Sequence, residues 1–164
     1  MSWFTANLGD AQGFRHPKLG LAYLFGETRP GETFDDYGIN IRMLEPGQPA
    51  SLYHSESVDE SFLVLGGECL AIVEDEEVPL NQWDFLHCPP GTHHVLVGAG
   101  EDPCWVLMIG GRRGDDTVHF PVSERAARFG ASVERETGDG ADAWAQAGLA
   151  LDQFEPAGFP WPPE

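Results

Sequence analysis

GINIRMLE (38–45), SLYHSE (51–56), ESFLVL (60–65), CLAIVE (69–74), WDFLHC (83–88), HHVLVG (93–98) and CWVLMIGG (104–111) follow one another with only short breaks, and they decide the fold. In the first, Ile39, Ile41 and Met43 alternate with Asn40 and Arg42, the period of two of a half-buried strand. Most of the others are short apolar runs. The breaks carry PGQP (46–49), GG (66–67), DEE (75–77) and PPG (89–91), the residue types that turns demand. DEE reads as a hairpin tip. Strands this short, recurring at spacings of roughly 8–12 residues, predict an antiparallel sandwich or barrel.

Outward from this block the pattern changes. LAYLF (21–25) reads as a strand, and GETRPGETFDD (26–36) as a loop rich in Gly, Pro and Asp. Residues 1–20 hold Trp3, Phe4 and Phe14 without a clear period and read as an arm laid over the domain. PVSERAARFG (121–130) predicts a short helix with Ser123 as N-cap, Glu124 in the first turn and Gly130 as its stop. GADAWAQAGL (140–149) predicts a second, ended by Gly148. The tail FEPAGFPWPPE (154–164) is too rich in proline to continue a regular element. Its Phe154, Phe159 and Trp161 either pin it to an apolar surface or leave it mobile. The expected organisation is an N-terminal arm and first strand over 1–37, a barrel over 38–120, and a helical segment with a proline-rich tail over 121–164.

The chain has 164 residues, enough for one domain with a sizeable core. Twenty Gly and 13 Pro argue for many turns and against a helix bundle. The net charge of -18 leaves no basic stripe to neutralise a phosphate backbone, so nucleic acid is not an expected partner. Docking on an anionic membrane is disfavoured for the same reason. Cys69, Cys88 and Cys104 are an odd number set in apolar runs, and read as small buried hydrophobes. The start, MSWFTANLGDAQ, lacks the basic region and apolar run of a signal peptide, and no apolar stretch approaches 18 residues. A cytoplasmic protein is expected.

Chemistry concentrates in two places. In YHSESVDE (53–60), residues two apart share a strand face, so His54 and Glu56 point together. A turn at 57–59 would bring Glu60 onto the next strand beside them. One imidazole and two carboxylates make a metal site of hard-to-borderline character. In CPPGTHHV (88–95), Pro89, Pro90 and Gly91 form a rigid turn into a strand, where only one of the adjacent His93 and His94 can face inward. His87 and His93 are candidates to line the cavity. His16 and His119 read as surface or structural.

These two stretches resemble the paired motifs of the cupin superfamily. His54, Glu56, Glu60 and Gly67 fall on the spacing H-x-H-x3-E-x6-G, and Pro89, Gly91 and His94 on P-x-G-x2-H. Four positions depart. Gly47 stands one place from the leading glycine, Glu56 replaces the second histidine, Trp83 replaces the glycine that opens the second motif, and Gly98 replaces its closing asparagine. The resemblance covers about 40–110. It implies an all-β double-stranded β-helix, a jelly-roll barrel, with an N-terminal arm and short C-terminal helices. It also implies one divalent metal ion held by His54, Glu60 and His94, with Glu56 as a substitute fourth ligand. Oxygen-rich mixed ligation suits manganese or iron, with zinc or nickel also compatible.

The function so implied is a single-domain cupin that acts on a small organic ligand at the barrel mouth, by dioxygenase-, isomerase- or decarboxylase-like chemistry. The alternative is a metal-free, non-enzymatic binding or sensor module, with Glu56 and Glu60 solvated or paired, for example with Arg42. ESFLVL and CWVLMI are apolar on both faces, so the face outside the barrel needs cover. A homodimer is expected to supply it.

Overall fold

β-strands dominate because the alternating and apolar runs of 37–111 find partners across the chain. The computed structural model describes residues 3–10, 13–25, 34–158 and 160. Most of the 26–36 loop, together with Phe159 and Trp161, lies outside the described residues. In chain order the strands are β1 (Gly13–His16), β2 (Gly20–Leu24), β3 (Tyr37–Leu44), β4 (Ser55–Glu56), β5 (Glu60–Gly66), β6 (Glu68–Val73), β7 (Glu76–Leu80), β8 (Phe85–Cys88), β9 (His94–Ala99), β10 (Cys104–Gly111), β11 (Val118–His119) and β12 (Glu155–Ala157). Two helices, α1 (Glu124–Ala127) and α2 (Gly140–Gln146), lie in the C-terminal segment. No helix among the described residues is long and apolar enough to cross a membrane.

The strands form a seven-stranded sheet in the order β12-β1-β2-β3-β10-β5-β8, a three-stranded sheet β7-β6-β9 and a two-stranded β11-β4 ribbon, with every pairing antiparallel. This is the all-β double-stranded β-helix that the sequence predicts. Leu44, Phe62, Val64, Val106 and Met108 from the large sheet meet Cys69, Ala71 and Leu96 from the three-stranded sheet in one buried cluster. Each fully buried aliphatic or aromatic side chain of this kind contributes roughly 1.5–3 kcal/mol. All three cysteines are free and buried. Cys69 and Cys104 share a hydrogen bond that, together with burial, drives the Cys69 thiol far up from its ordinary pKa.

Several local expectations are corrected. SLYHSE is not a continuous strand. His54 makes an isolated bridge to His94, and only Ser55 and Glu56 join a ribbon, with Val118 and His119. The hairpin tip lies at Glu74–Asp75, both with positive φ, and Glu76 and Glu77 already belong to β7. β7 has no period-two signal and contains Pro79. It forms because it is an edge strand, where a missing N–H costs no ladder bond. The same holds for β12 and its Pro156, which build an element into the proline-rich tail. β1, in the arm, pairs with both β2 and β12. Phe154 packs on His16 and Trp144 at ring distances of 4.8 and 6.0 Å.

Two of the motif departures have backbone explanations. Trp83 adopts a φ of 74°, the left-handed conformation for which glycine is the usual choice. The turn there is held by Asp84 Oδ2, which accepts from Asn81 N at 2.7 Å, so β8 starts only at Phe85. Gly98 passes against the 44–48 segment so closely that a Cβ would lie within 2.8 Å of Leu44 O and clash with Glu45 O. An asparagine would not fit there.

In the C-terminal segment Ser123 caps α1 by accepting from Ala126 N at 3.2 Å. The helix is a single turn, shorter than the 121–130 run. Asp139 caps α2, and Gly148 with φ 62° follows its end. Ala143, Leu149 and the partly buried Trp144 pack on Leu52 and Phe120. This packing braces one wall of the site described next.

Candidate metal centre

His54 and His94 meet through their backbones. Each donates its N–H to the other's carbonyl, at 3.1 and 2.7 Å. Their rings lie 5.1 Å apart. Glu60 opens β5 opposite Cys88 of β8, and its Oε2 reaches both rings, 3.1 Å from His94 Nε2 and 3.9 Å from His54 Nε2. The ligating atoms of His54, Glu60 and His94 all lie within 4.8 Å of one another. Two ligands each ~2.1 Å from one ion stand ~3 Å apart at a right angle and ~4 Å apart when opposed, which brackets the two separations from Glu60.

The ring orientations are fixed from behind. His54 Nδ1 lies 2.7 Å from Leu52 O, and His94 Nδ1 lies 3.0 Å from Thr92 O. A carbonyl can only accept, so each Nδ1 carries the proton. In the neutral rings both Nε2 atoms are therefore bare lone pairs, aimed at a carboxylate oxygen. With both Nε2 atoms unprotonated, the buried Glu60 Oε2 has no donor; only a proton on His94 Nε2, 3.1 Å away, would give it one. Three electron pairs converge where a cation belongs, and backbone carbonyls orient the rings as outer-shell partners of metal-ligating histidines do.

Phe62 packs 5.1 Å from the His94 ring and Phe120 stacks 5.7 Å from His54. Burial disfavours charge on His94, but hydrogen bonds that the protonated ring donates to Cys88 and Glu60, together with the Glu60 charge, outweigh it and push its pKa up to about 10. For Glu60, burial works against the carboxylate, and the hydrogen bond and charges of the two histidines overcome it, leaving its pKa below the usual value.

Of the four residues singled out in the sequence, the structure brings His54, Glu60 and His94 together. Glu56 lies beside them, its Oε1 3.6 Å from His54 Nε2. Neither His87 nor His93 lines the cavity. His87 bonds Ser61 at 3.0 Å, and His93 bonds His119, which in turn meets Glu136, each at 3.0 Å. His16 is fully buried against Gln153. Sequence reasoning missed Cys88 as a neighbour of His94, although Glu60 and Cys88 face each other across β5 and β8.

The centre opens into a cavity of about 520 Å³, the size of small-ligand sites. Phe62, Leu96 and Met108 form its apolar floor, and Asn40, Arg42 and Arg112 add polar groups. Among the described residues Arg42 makes no ion pair with Glu56 or Glu60.

Residues 40–110 match the cupin domain family. A protein assigned as a sugar phosphate isomerase from Acidithiobacillus ferrooxidans superposes with a TM-score of 0.53 at 24% identity, over 60% of this chain and 64% of its own. The chain thus spans less than two thirds of that protein. A cupin-superfamily sugar phosphate isomerase from Silicibacter pomeroyi gives 0.56 at 22% identity, over 73% of this chain and 75% of its own. The polyketide cyclase RemF from Streptomyces resistomycificus gives 0.58 at 15% identity, over 70% and 84%. No curated protein matches the chain.

Proposed function

We propose, from the match of residues 40–110 to the cupin domain family, that the chain works as a cupin, holding one divalent metal ion on His54, Glu60 and His94 and acting there on a small organic ligand. The observation that carries this reading is the convergence of two Nε2 lone pairs and one buried carboxylate oxygen, with both Nδ1–H groups committed to backbone carbonyls. Two imidazoles and one carboxylate leave coordination positions open, and this ligand set suits iron or manganese, with zinc or nickel also accepted. An ion bound there would polarise an oxygen of the ligand as a Lewis acid.

The chain's own residues do the rest. Leu52 and Thr92 hold the imidazoles in one tautomer. Phe62, Leu96 and Met108 give the cavity an apolar side, and Phe120 covers the His54 ring. Glu56, one-third exposed, is placed to be a fourth ligand or an acid that faces the bound molecule. Dioxygenase-, isomerase- and decarboxylase-like reactions are all compatible with this arrangement. The isomerase and cyclase neighbours share the fold with this chain at identities below 25%.

One observation favours a second reading. A proton on His94 Nε2 would also satisfy Glu60, and the raised pKa of His94 supports it. The barrel would then be a metal-free binding module. Elemental analysis of the purified protein separates the two. Near-stoichiometric iron, manganese, zinc or nickel upholds the metal site, and its absence after reconstitution with each ion overturns it.

The homodimer belongs to the same proposal. Phe85, Leu63 and Leu107 lie in one row across β8, β5 and β10, with Ile109 beside them. They lie on the face opposite Val106 and Met108, which point into the core. Phe85 is 64% exposed and Ile109 38%. A second copy would cover this face.

A further inference from the structure

Arg42 stands at the centre of β3, between Ala22 and Val106 on the neighbouring strands. Its side chain shares the inward face with Leu44 and Asn40 and lines the same cavity as the candidate metal ligands. Its Nε and Nη1 are buried and have no hydrogen-bond partner, and the buried Oδ1 of Asn40, two residues away on the same face, has none either. A guanidinium taken out of water without a partner is unfavourable, and orphaned polar atoms in a cavity call for a water, an ion or a ligand to satisfy them.

The charges of the cavity say which kind. Arg42 and Arg112 face Glu56, Glu60 and Asp116, one negative charge in excess. A divalent ion turns this into one positive charge in excess, which a monoanion balances and a dianion overshoots. Guanidinium donors match the two oxygens of a carboxylate. The amide of Asn40, whichever way it is turned, can pair with a hydroxyl or carbonyl oxygen next to that carboxylate.

We propose that the ligand of this site is a small organic monocarboxylate bearing an adjacent hydroxyl or carbonyl, bound with its carboxylate on Arg42 and its neighbouring oxygen within reach of Asn40. The inference rests on the metal-site reading for its charge balance, while the unpaired Arg42 stands independently of it. Burial lowers the pKa of Arg42 only to about 10, so the guanidinium remains cationic at neutral pH.

The test is calorimetric titration of the full-length, manganese-loaded protein with L-lactate, pyruvate, methyl L-lactate and inorganic phosphate. Lactate or pyruvate is expected to bind and the ester to bind far more weakly. Arg42→Met is expected to weaken the acid by about 10- to 100-fold, the worth of a charge-assisted hydrogen bond, with manganese content unchanged. Arg42→Lys should recover part of the loss. Equal acid affinity in Arg42→Met, equal affinity for ester and acid, binding of neither acid, or tighter binding of phosphate than of both acids would each overturn the proposal. If the protein takes up no manganese, the same titrations on metal-free protein apply. Acid binding that depends on Arg42 would then uphold this inference while the metal reading fails.

Discussion

His94 Nε2 stands 3.1 Å from Glu60 Oε2, while the other nitrogen of the same ring is tied to the carbonyl of Thr92. The ring can neither flip nor move its proton without losing that bond. Whatever satisfies Glu60 must sit between the carboxylate and Nε2, either an ion or a proton.

Glu60→Gln removes the only carboxylate of the trio and keeps its shape. Loss of a partner that merely orients a ligand costs about 10- to 100-fold in metal affinity, so loss of Glu60 itself is expected to cost at least about 100-fold. Competition titration with a coloured chelator measures this. Unchanged affinity would show that Glu60 is not a ligand.

The pH dependence follows from His94. Its pKa is raised from 6.5 to about 10, so in the chelator-treated protein its proton contributes stability that is fully present below about pH 6.5 and lost as pH rises through about 10. The melting temperature of the metal-free protein is therefore expected to fall across that window. A metal must displace this proton, so its apparent affinity should rise about tenfold per pH unit over the same range. A flat affinity profile would argue against His94 as a ligand.

Glu56 lies at the edge of the trio, 3.6 Å from His54. As a fourth ligand, its replacement in Glu56→Ala should weaken metal binding without abolishing it. Glu56→His should keep the ion and move preference toward nickel and zinc. Metal occupancy and affinity are compared with the wild type. Unchanged affinity in both variants would leave Glu56 as an acid that faces the bound molecule.

Arg42→Met is expected to raise the melting temperature of the ligand-free protein, because an apolar side chain of similar length replaces an unpaired buried charge. An uncompensated buried ion carries a desolvation penalty of several kcal/mol, and the substitution removes it. Thermal unfolding by circular dichroism reads this out. A clear fall in melting temperature would mean that Arg42 supports the fold itself.

The row formed by Phe85, Leu63 and Leu107 predicts the association state. Phe85→Glu places a charge where a second copy would pack, and should convert dimer to monomer in sedimentation velocity at micromolar concentration. A wild-type protein that already sediments as a monomer would remove the dimer.

The strand pattern of 38–111 and the spacing from His54 to Glu60 were legible in the sequence because both are local. A period of two puts Ile39, Ile41 and Met43 on one face of β3, and a short turn sets Glu60 beside His54. The family resemblance added His94 at its place after the Pro-Pro-Gly turn. Tertiary structure alone decided the rest, through contacts between residues far apart in the chain. The pairing of 13–16 with 155–157 has no local signature, since each segment becomes a strand only because the other edge is there. Pro79 and Pro156 look like strand breakers until the sheet places them on edges. The protonated nitrogens of His54 and His94 depend on the Leu52 and Thr92 carbonyls. Arg42 reads in sequence as the polar half of an alternating strand. It becomes the unpaired charge of the cavity only when the barrel closes and turns that polar face inward, where its Nε and Nη1 are buried without hydrogen-bond partners.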